Sequence, residues 1–439
     1  TAPGSVAGAA GALDARVVTD PAAQRALWRV REDAAGTATR GPDGAEAWPG
    51  WEDVAVPPAR LGPYLRDFRA LLADHGLHGT PYGHFGEGCV HARIDFDLLS
   101  APGIAVFRRF SEELAHLVVA HGGSLSGEHG DGQARAELLP VMYGPELTGL
   151  FAQVKAVWDP DDLLNPGILV RPAKLDENLR FAVLPREPVD AAFGYPQDSG
   201  DFSAAVRRCV GVAKCREPGG THGTSVMCPS FRATGAEEHS TRGRARLLHE
   251  MLAGEVVTGG WRAPEVRDAL DLCLSCKGCR SDCPVGVDMA TYKAEFLHHH
   301  YAGRLRPASH YALGRLPAWL RAAAPLARPS TPSPASRPLT SLALRLAGLT
   351  PERPLPALAA RPLRVGEEAR RRPAPAPCSS GPTPSAATST RTSRAPRPRR
   401  RGTPRHDPAP WLNGAGVCCG LTYVSTGQLD AARRVMRRT

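Results

Sequence analysis

Cys273-Leu274-Ser275-Cys276-Lys277-Gly278-Cys279-Arg280-Ser281-Asp282-Cys283-Pro284 decides how the second half of this chain is read. The spacing is C-x2-C-x2-C-x3-C-P, that of an iron–sulfur site in a bacterial two-cluster ferredoxin. The short gaps let three thiolates wrap one cluster from a single loop, and the fourth cysteine, before a proline, points to a second cluster. The alternatives are a structural zinc site and disulfides, but zinc cysteines usually come as two separated pairs.

A second run lies upstream: Cys209, Cys215 and Cys228, the last followed by Pro229. The two-cluster pairing rule joins Cys273, Cys276 and Cys279 with Cys228, and Cys209 and Cys215 with Cys283. The second set has three thiolates. It therefore reads as a 3Fe–4S cluster, or as a 4Fe–4S cluster with a non-cysteine ligand such as His222. Two neighbouring clusters imply electron transfer, because neither hydrolysis nor bond making needs a pair of one-electron relays.

The chain has 439 residues, room for two or three domains. No signal peptide precedes the first periodic segment, and no apolar stretch is long enough for a transmembrane helix. Cysteines kept as thiols fit a reducing compartment. The expectation is a cytoplasmic protein, docked if at all at the inner membrane face through a partner. Most of the net charge of +10 lies in residues 367–410, with ten arginines against Glu367, Glu368 and Asp407. A basic nucleic-acid-binding domain is not indicated. That segment also lacks Val, Ile, Leu, Met, Phe, Tyr and Trp and has ten prolines. Such a composition buries no core and is expected to be disordered as written. A natural linker or a stretch read in a shifted frame would both produce it.

The first 170 residues alternate strand and helix patterns. A helix is expected at Ala22–Arg31, a strand at Asp53–Pro57, a helix at Leu61–His75, strands at Thr80–Phe85 and Val90–Phe96, a helix at Ile104–Ala120, a short strand at Ser124–Ser126 and a helix at Pro145–Trp158. The β-α-β-β-α-β order predicts an α+β fold, a ferredoxin-like split sandwich. A linker at 171–200 leads to a helical cysteine region at 201–300. A helical, proline-rich connector follows at 301–366, and ordinary patterning returns at 411–439.

Residues 82–91 read Tyr-Gly-His-Phe-Gly-Glu-Gly-Cys-Val-His. A two-residue turn at Glu87-Gly88 would set His84 directly opposite His91, with Cβ atoms about 5 Å apart. That suits two imidazoles on one divalent metal, such as zinc; the alternative is a solvated pair. Downstream, Ser126-Gly127-Glu128-His129-Gly130-Asp131-Gly132 offers Glu128 as a third ligand and leaves His129 as a base. Strand four of an ideal split sandwich ends at the opposite edge from the hairpin, so spacing alone does not bring Glu128 to His84.

Together GHFGEGCVH (83–91), SGEHGDG (126–132) and DPDDLLNPG (159–167) resemble the C-terminal domain of FAD-linked oxidases. That family includes D-lactate dehydrogenases, the glycolate oxidase flavin subunit and D-2-hydroxyglutarate dehydrogenase. MCPSFRATGAEEHSTRGRARLL (227–248) resembles the fused iron–sulfur half of its long bacterial members. GVCCGLTYVSTGQLDAARRV (416–435) resembles the start of their CCG domain. The resemblance implies a divalent metal on His84, His91 and Glu128, and His129 as the base that takes the hydroxyl proton of a small 2-hydroxy acid. It implies Arg31 on the substrate carboxylate, Asn165 near the FAD, and electrons leaving through 4Fe–4S clusters to a quinone, cytochrome or carrier protein. D-lactate is the expected substrate.

The pattern departs from the family in places. The FAD-binding domain that precedes this one in the family is missing, so N-terminal truncation is expected. Glu87 and Cys89 replace the usual Asp and Asn, Ile168 replaces a lysine, and one CCG motif is present. An iron–sulfur electron-transfer subunit without its own flavin chemistry, and an inactive product of a damaged gene, are the other two readings.

Overall fold

The computed structural model describes residues 16–41, 44–179, 189–217, 227–323, 337–352 and 419–437. The expectation for 367–410, together with His222 and Cys418, lies outside them. The chain falls into two units, Thr1–Lys293 and Ala294–Thr439.

The first unit opens with α1 (Pro21–Thr37), whose cap residue Asp20 accepts a hydrogen bond from the Ala23 amide at 2.7 Å. A sheet follows, built from β1 (Trp48–Ala55), β2 (Gly79–Tyr82) and β3 (Cys89–Ile94), with α2 (Leu61–Asp74) between β1 and β2. After β3 comes α3 (Ala101–Ala120), capped by Ser100 on the Gly103 amide at 3.1 Å. The strand order is β1-β3-β2, all antiparallel, and an antiparallel bridge from Ala55 to Ser124 adds the stub of a fourth strand beside β1. This is the connectivity of the expected split sandwich, with the fourth strand cut to one bridge.

The core forms where α2 and α3 cover one face of the sheet. The i, i+4, i+8 positions Tyr64, Phe68 and Leu72 of α2 meet Phe110, Leu114 and Val118 of α3 over Val90, Ala92 and Ile94. Phe110 is fully buried, worth roughly 1.5–3 kcal/mol of transfer free energy. Alternation along β3 turns Cys89 and His91 to the other face, which the loop after Ser124 covers.

Several boundaries differ from the sequence reading, β2 ending at Tyr82 rather than Phe85 and α3 starting at Ala101 rather than Ile104 among them; two differences matter for packing. β1 starts at Trp48 rather than Asp53, because register shifts between Trp48 and Trp51 and between Trp51 and Val54 absorb Pro49 and Gly50. α1 runs on to Thr37, and its C-terminal part packs against the cysteine region. A Cβ on Gly36 would come within 2.9 Å of the Val212 side chain, so glycine is what permits that approach. Lys214 pairs with Asp33 there, and Arg207 donates from Nε to both oxygens of Glu46 at 3.2 Å.

After α4 (Leu139–Trp158), which kinks at Gly144 where φ is 79°, the chain enters the cysteine region. Its helices are α5 (Phe202–Arg207), α6 (Pro229–Thr234), α7 (Thr241–Ala253), α8 (Pro264–Asp271), α9 (Gly278–Asp282) and α10 (Met289–His300). Phe202, Leu248, Val266, Leu270 and Met289 are buried there, and the Tyr292 hydroxyl donates to the Ala205 carbonyl at 2.6 Å.

In the second unit, α11 (Ala308–Gly314) meets α14 (Leu421–Ser425) and the turn before α15 (Leu429–Met436); α12 (Leu316–Ala323) and α13 (Arg337–Leu346) lie between them in sequence. Arg306 donates to the carbonyls of Thr426 and Gly427 at 2.7 and 2.9 Å, and Gln428 donates to that of His310 at 2.9 Å. Among the described residues no helix is long and apolar enough to cross a membrane.

Candidate active site

The loop after Ser124 is organised by one buried carboxylate. Asp53, on β1, is 0% exposed. Its backbone carbonyl accepts from the Gly127 amide at 2.6 Å, while its side chain accepts from the Ser126 hydroxyl and from the amides of Glu128 (2.9 Å) and His129 (2.7 Å). Burial alone would raise its pKa; the Ser126 hydroxyl and the two amides outweigh that and hold it below the ordinary carboxylate range. The loop is thus pulled across β1 onto the sheet face that carries His91.

Glu128 thereby reaches the histidines. Its Oε1 lies 3.6 Å from His84 Nε2, 3.5 Å from His91 Nε2 and 3.4 Å from His129 Nε2. The rings of His84 and His91 are 5.5 Å apart edge to face, and those of His91 and His129 are parallel at 5.4 Å. Ligands about 2.0–2.1 Å from a tetrahedral ion stand about 3.3–3.4 Å from one another, so these spacings fit donors to one divalent cation. Asp53, His91, Glu128 and His129 also each offer a ligand atom within 4.8 Å of the others. Asp53 is the poorer donor of the four, because its oxygens already accept from the loop. His91 is buried, which lowers its pKa and keeps the imidazole neutral, the form that binds metal.

The route to this arrangement differs from the expected hairpin. Tyr82, not His84, pairs with His91. A 3-10 turn, Phe85–Glu87, lengthens the connection, and the His84 carbonyl accepts from the amides of Glu87 (2.9 Å) and Cys89 (3.2 Å). The turn closes on Gly88 at φ 78°, where a Cβ would overlap the Val56 carbonyl oxygen. His84 joins His91 from the turn, not from a facing register position. The Asp53-bound loop crosses from the Ser124 bridge beside β1 to β3, which brings Glu128 to the histidines although the fourth-strand stub lies at the other edge.

Arg31 lies in α1, and its side chain is outside the described residues; the neighbouring Val30 lines a cavity of about 830 Å³ with Thr80 and Tyr82. Asn165 is exposed, at φ 47°, in a loop where Asp159 accepts from the amides of Leu163 and Leu164, each at 2.9 Å. Nothing among the described residues brings Asn165 to the histidines. Glu128 and His129 are exposed on the open sheet face, which suits a substrate placed between them and a separately held redox group.

None of the seven cysteines of 209–283 is in a disulfide. Burial pushes Cys279 up to about 12, with the Met289 amide opposing and Asp288, Cys273 and Cys228 adding. Burial likewise pushes Cys215 up to about 11, with the Arg242 amide opposing and Cys228 and Cys209 adding. Cys228 therefore neighbours both Cys215 of its own run and Cys279 of the other. The first two amides of α7 donate to sulfur, Thr241 to Cys228 at 3.0 Å and Arg242 to Cys215 at 3.3 Å. Main-chain donors aimed at grouped thiols are what a thiolate-bound iron–sulfur cluster requires. The sequence reading missed one repeat. Cys209-x2-Val212-x2-Cys215 has the spacing of Cys273-x2-Cys276-x2-Cys279, so Val212 stands where the second run has Cys276.

Comparison with known proteins agrees with both halves. Residues 4–169 match the family described as FAD linked oxidases, C-terminal domain, and residues 205–287 match the 4Fe-4S dicluster domain. The chain carries an FAD-linked-oxidase C-terminal domain followed by a 4Fe–4S dicluster domain. It is 30% identical over 335 residues to a D-2-hydroxyglutarate dehydrogenase of Escherichia coli, covering 68% of this chain and 32% of that protein. A Haemophilus influenzae protein of the same name is 29% identical over 333 residues, 69% of this chain and 32% of its own length. A D-lactate dehydrogenase of Archaeoglobus fulgidus is 36% identical over 119 residues, 27% of this chain and 26% of that protein. The chain spans about a third of the length of the first two relatives.

Proposed function

We propose that this chain is the substrate-binding and electron-relay part of an FAD-dependent 2-hydroxyacid dehydrogenase. The observation that carries the reading is the convergence of His84, His91 and His129 on Glu128 at 3.4–3.6 Å in a chain that also holds grouped thiols. His84, His91 and Glu128 hold the divalent cation. His129 takes the proton from the substrate hydroxyl through Nε2, with Asp53 fixing the backbone on which the imidazole stands. When bound, the cation lowers the hydroxyl pKa and the flavin accepts the hydride. Arg31 is assigned to the substrate carboxylate and Asn165 to the flavin side.

D-2-hydroxyglutarate is the favoured substrate over D-lactate, because the relatives that bear its name align across both domains. Cys273, Cys276, Cys279 and Cys228 hold one 4Fe–4S cluster; the action of both Cys273 and Cys228 on Cys279 supports that set. Cys209, Cys215 and Cys283 hold a 3Fe–4S cluster, or a 4Fe–4S cluster with a non-cysteine ligand, Val212 having removed the fourth thiolate. The electron acceptor is a quinone, a cytochrome or a carrier protein.

Loading the full chain with cobalt(II) tests the substrate site without flavin. The visible cobalt bands should change on adding D-2-hydroxyglutarate, and both bands and response should vanish in His91→Ala. Cobalt bands indifferent to 2-hydroxy acids, beside clusters that still reduce, would refute the dehydrogenase reading in favour of a pure electron-transfer protein.

A further inference from the structure

Arg244 is a buried cation with no carboxylate. It lies on α7 at 2% exposure and heads the fully buried side chains by volume. Its Nε donates to the Ala269 carbonyl at 2.6 Å and its Nη2 to the Ser230 hydroxyl at 2.9 Å, both neutral acceptors. Its Nη1 lies 4.0 Å from the Cys228 sulfur. Among the described residues no Asp or Glu oxygen is within ion-pair distance of it. Asp288, the buried acid that acts on Cys279, is taken by Lys277 at 2.8 Å and Arg280 at 3.3 Å.

A second cation stands beside it. Lys293 donates to the carbonyls of Asp271 at 3.0 Å and Cys273 at 2.7 Å, and among the described residues it makes no ion pair, although the Asp271 carboxylate is near enough to act on it. Burial lowers its pKa, the charges on Cys273 and Asp271 raise it, and Arg244 lowers it, so the two cations feel each other. A guanidinium stays protonated in proteins, and a buried charge without a counter-charge is among the costlier features a fold can carry. Two like charges around one group of thiols make sense when an anion lies between them. A thiolate-ligated cubane is such an anion, and each reduction adds one electron to it.

We propose that Arg244, seconded by Lys293, is the buried counter-charge of the cluster held by Cys228, Cys273, Cys276 and Cys279, and that it keeps that cluster's reduction potential up. The proposal rests on the ligand set given above. The step is a one-electron reduction in which no bond forms or breaks; the added negative charge is what the guanidinium stabilises. In a fold where Arg244 merely ties α7 to α8 and α6 through Ala269 and Ser230, its charge would not matter.

The test uses the full chain, reconstituted with ferrous iron and sulfide without oxygen and titrated with dithionite under electron paramagnetic resonance. Arg244→Met should hold as much iron as the wild type, while one cluster's equilibrium for accepting an electron falls about tenfold, about 59 mV for a one-electron couple. Arg244→Lys should keep most of the potential. Full iron content with no signal shifted would overturn the proposal. Urea unfolding of the iron-free chains gives a second readout. A counter-charge role makes iron-free Arg244→Met at least as stable as the iron-free wild type, since an uncompensated charge has gone; a clear loss of stability there would also overturn it. A wild-type chain that takes up no iron would sink the cluster assignment, and this role with it.

Discussion

Replacing Asp53 by Asn separates the loop's anchor from the ligands it positions. The new amide keeps one acceptor oxygen and turns the other into a donor facing the His129 amide and the Ser126 hydroxyl. The hydroxyl can turn round and accept from it, so the unrelieved loss is the charge-assisted bond from the His129 amide. Bonds to charged groups contribute about 1.5–3 kcal/mol, and the loop is partly open to water, so about 2 kcal/mol is the expected cost. If that energy is what presents Glu128 to His84 and His91, metal binding must supply it instead, and affinity falls about 30-fold. Competition titration of zinc against a chromophoric chelator on Asp53→Asn reads this directly, with circular dichroism showing that the α2/α3 core stays folded. Zinc affinity within about threefold of wild type would refute the claim that Asp53 sets the ligand geometry.

Other outcomes follow from the same structure. Gly88→Ala should unfold the first domain or cost it at least about 3 kcal/mol, because the Cβ meets the Val56 carbonyl and φ is positive; chemical denaturation measures it. Phe110→Ala should cost about 3–5 kcal/mol by the same assay, since the ring is fully enclosed between the helices and the sheet. Val212→Cys should convert a three-iron signal into that of a four-iron cluster, with a matching rise in iron per chain. Lys155 and the amides of Leu164 and Leu163 hold the Asp159 carboxyl down at about 2. A pKa below its unfolded value of about 3.9 gives stability that is present above that pH and lost as pH falls through the folded value. The loop carrying Asn165 should therefore gain hydrogen-exchange rate between about pH 4 and pH 2 and not above.

The cysteine spacing was legible because a loop wrapping a cluster is a local object. The α2 and α3 faces were legible for the same reason: Tyr64, Phe68 and Leu72 declare a helix face without long-range information. The meeting of Glu128 with His91 was not, since it depends on a hydrogen-bonded crossing anchored by Asp53, which reads in sequence as one more strand residue. His84 approaches His91, but not by the expected facing register. A tight turn at Glu87-Gly88 fits the sequence, but the 3-10 turn at Phe85–Glu87 shifts the register and lets the side chain arrive from outside the ladder. Trp48–Gly50 was lost to the strand reading because Pro49 and Gly50 look like turn residues until a bulge accommodates them. Arg244 looked like any basic residue on a helix; only its burial without an acid marks it out.

The opening turn of α7 touches sulfur in both proposed ligand sets through consecutive residues, Thr241 to Cys228 and Arg242 to Cys215. Both proposed ligand sets therefore share the position of one rigid rod. A tilt of that helix would lengthen or shorten the amide bonds to sulfur in both sets at once.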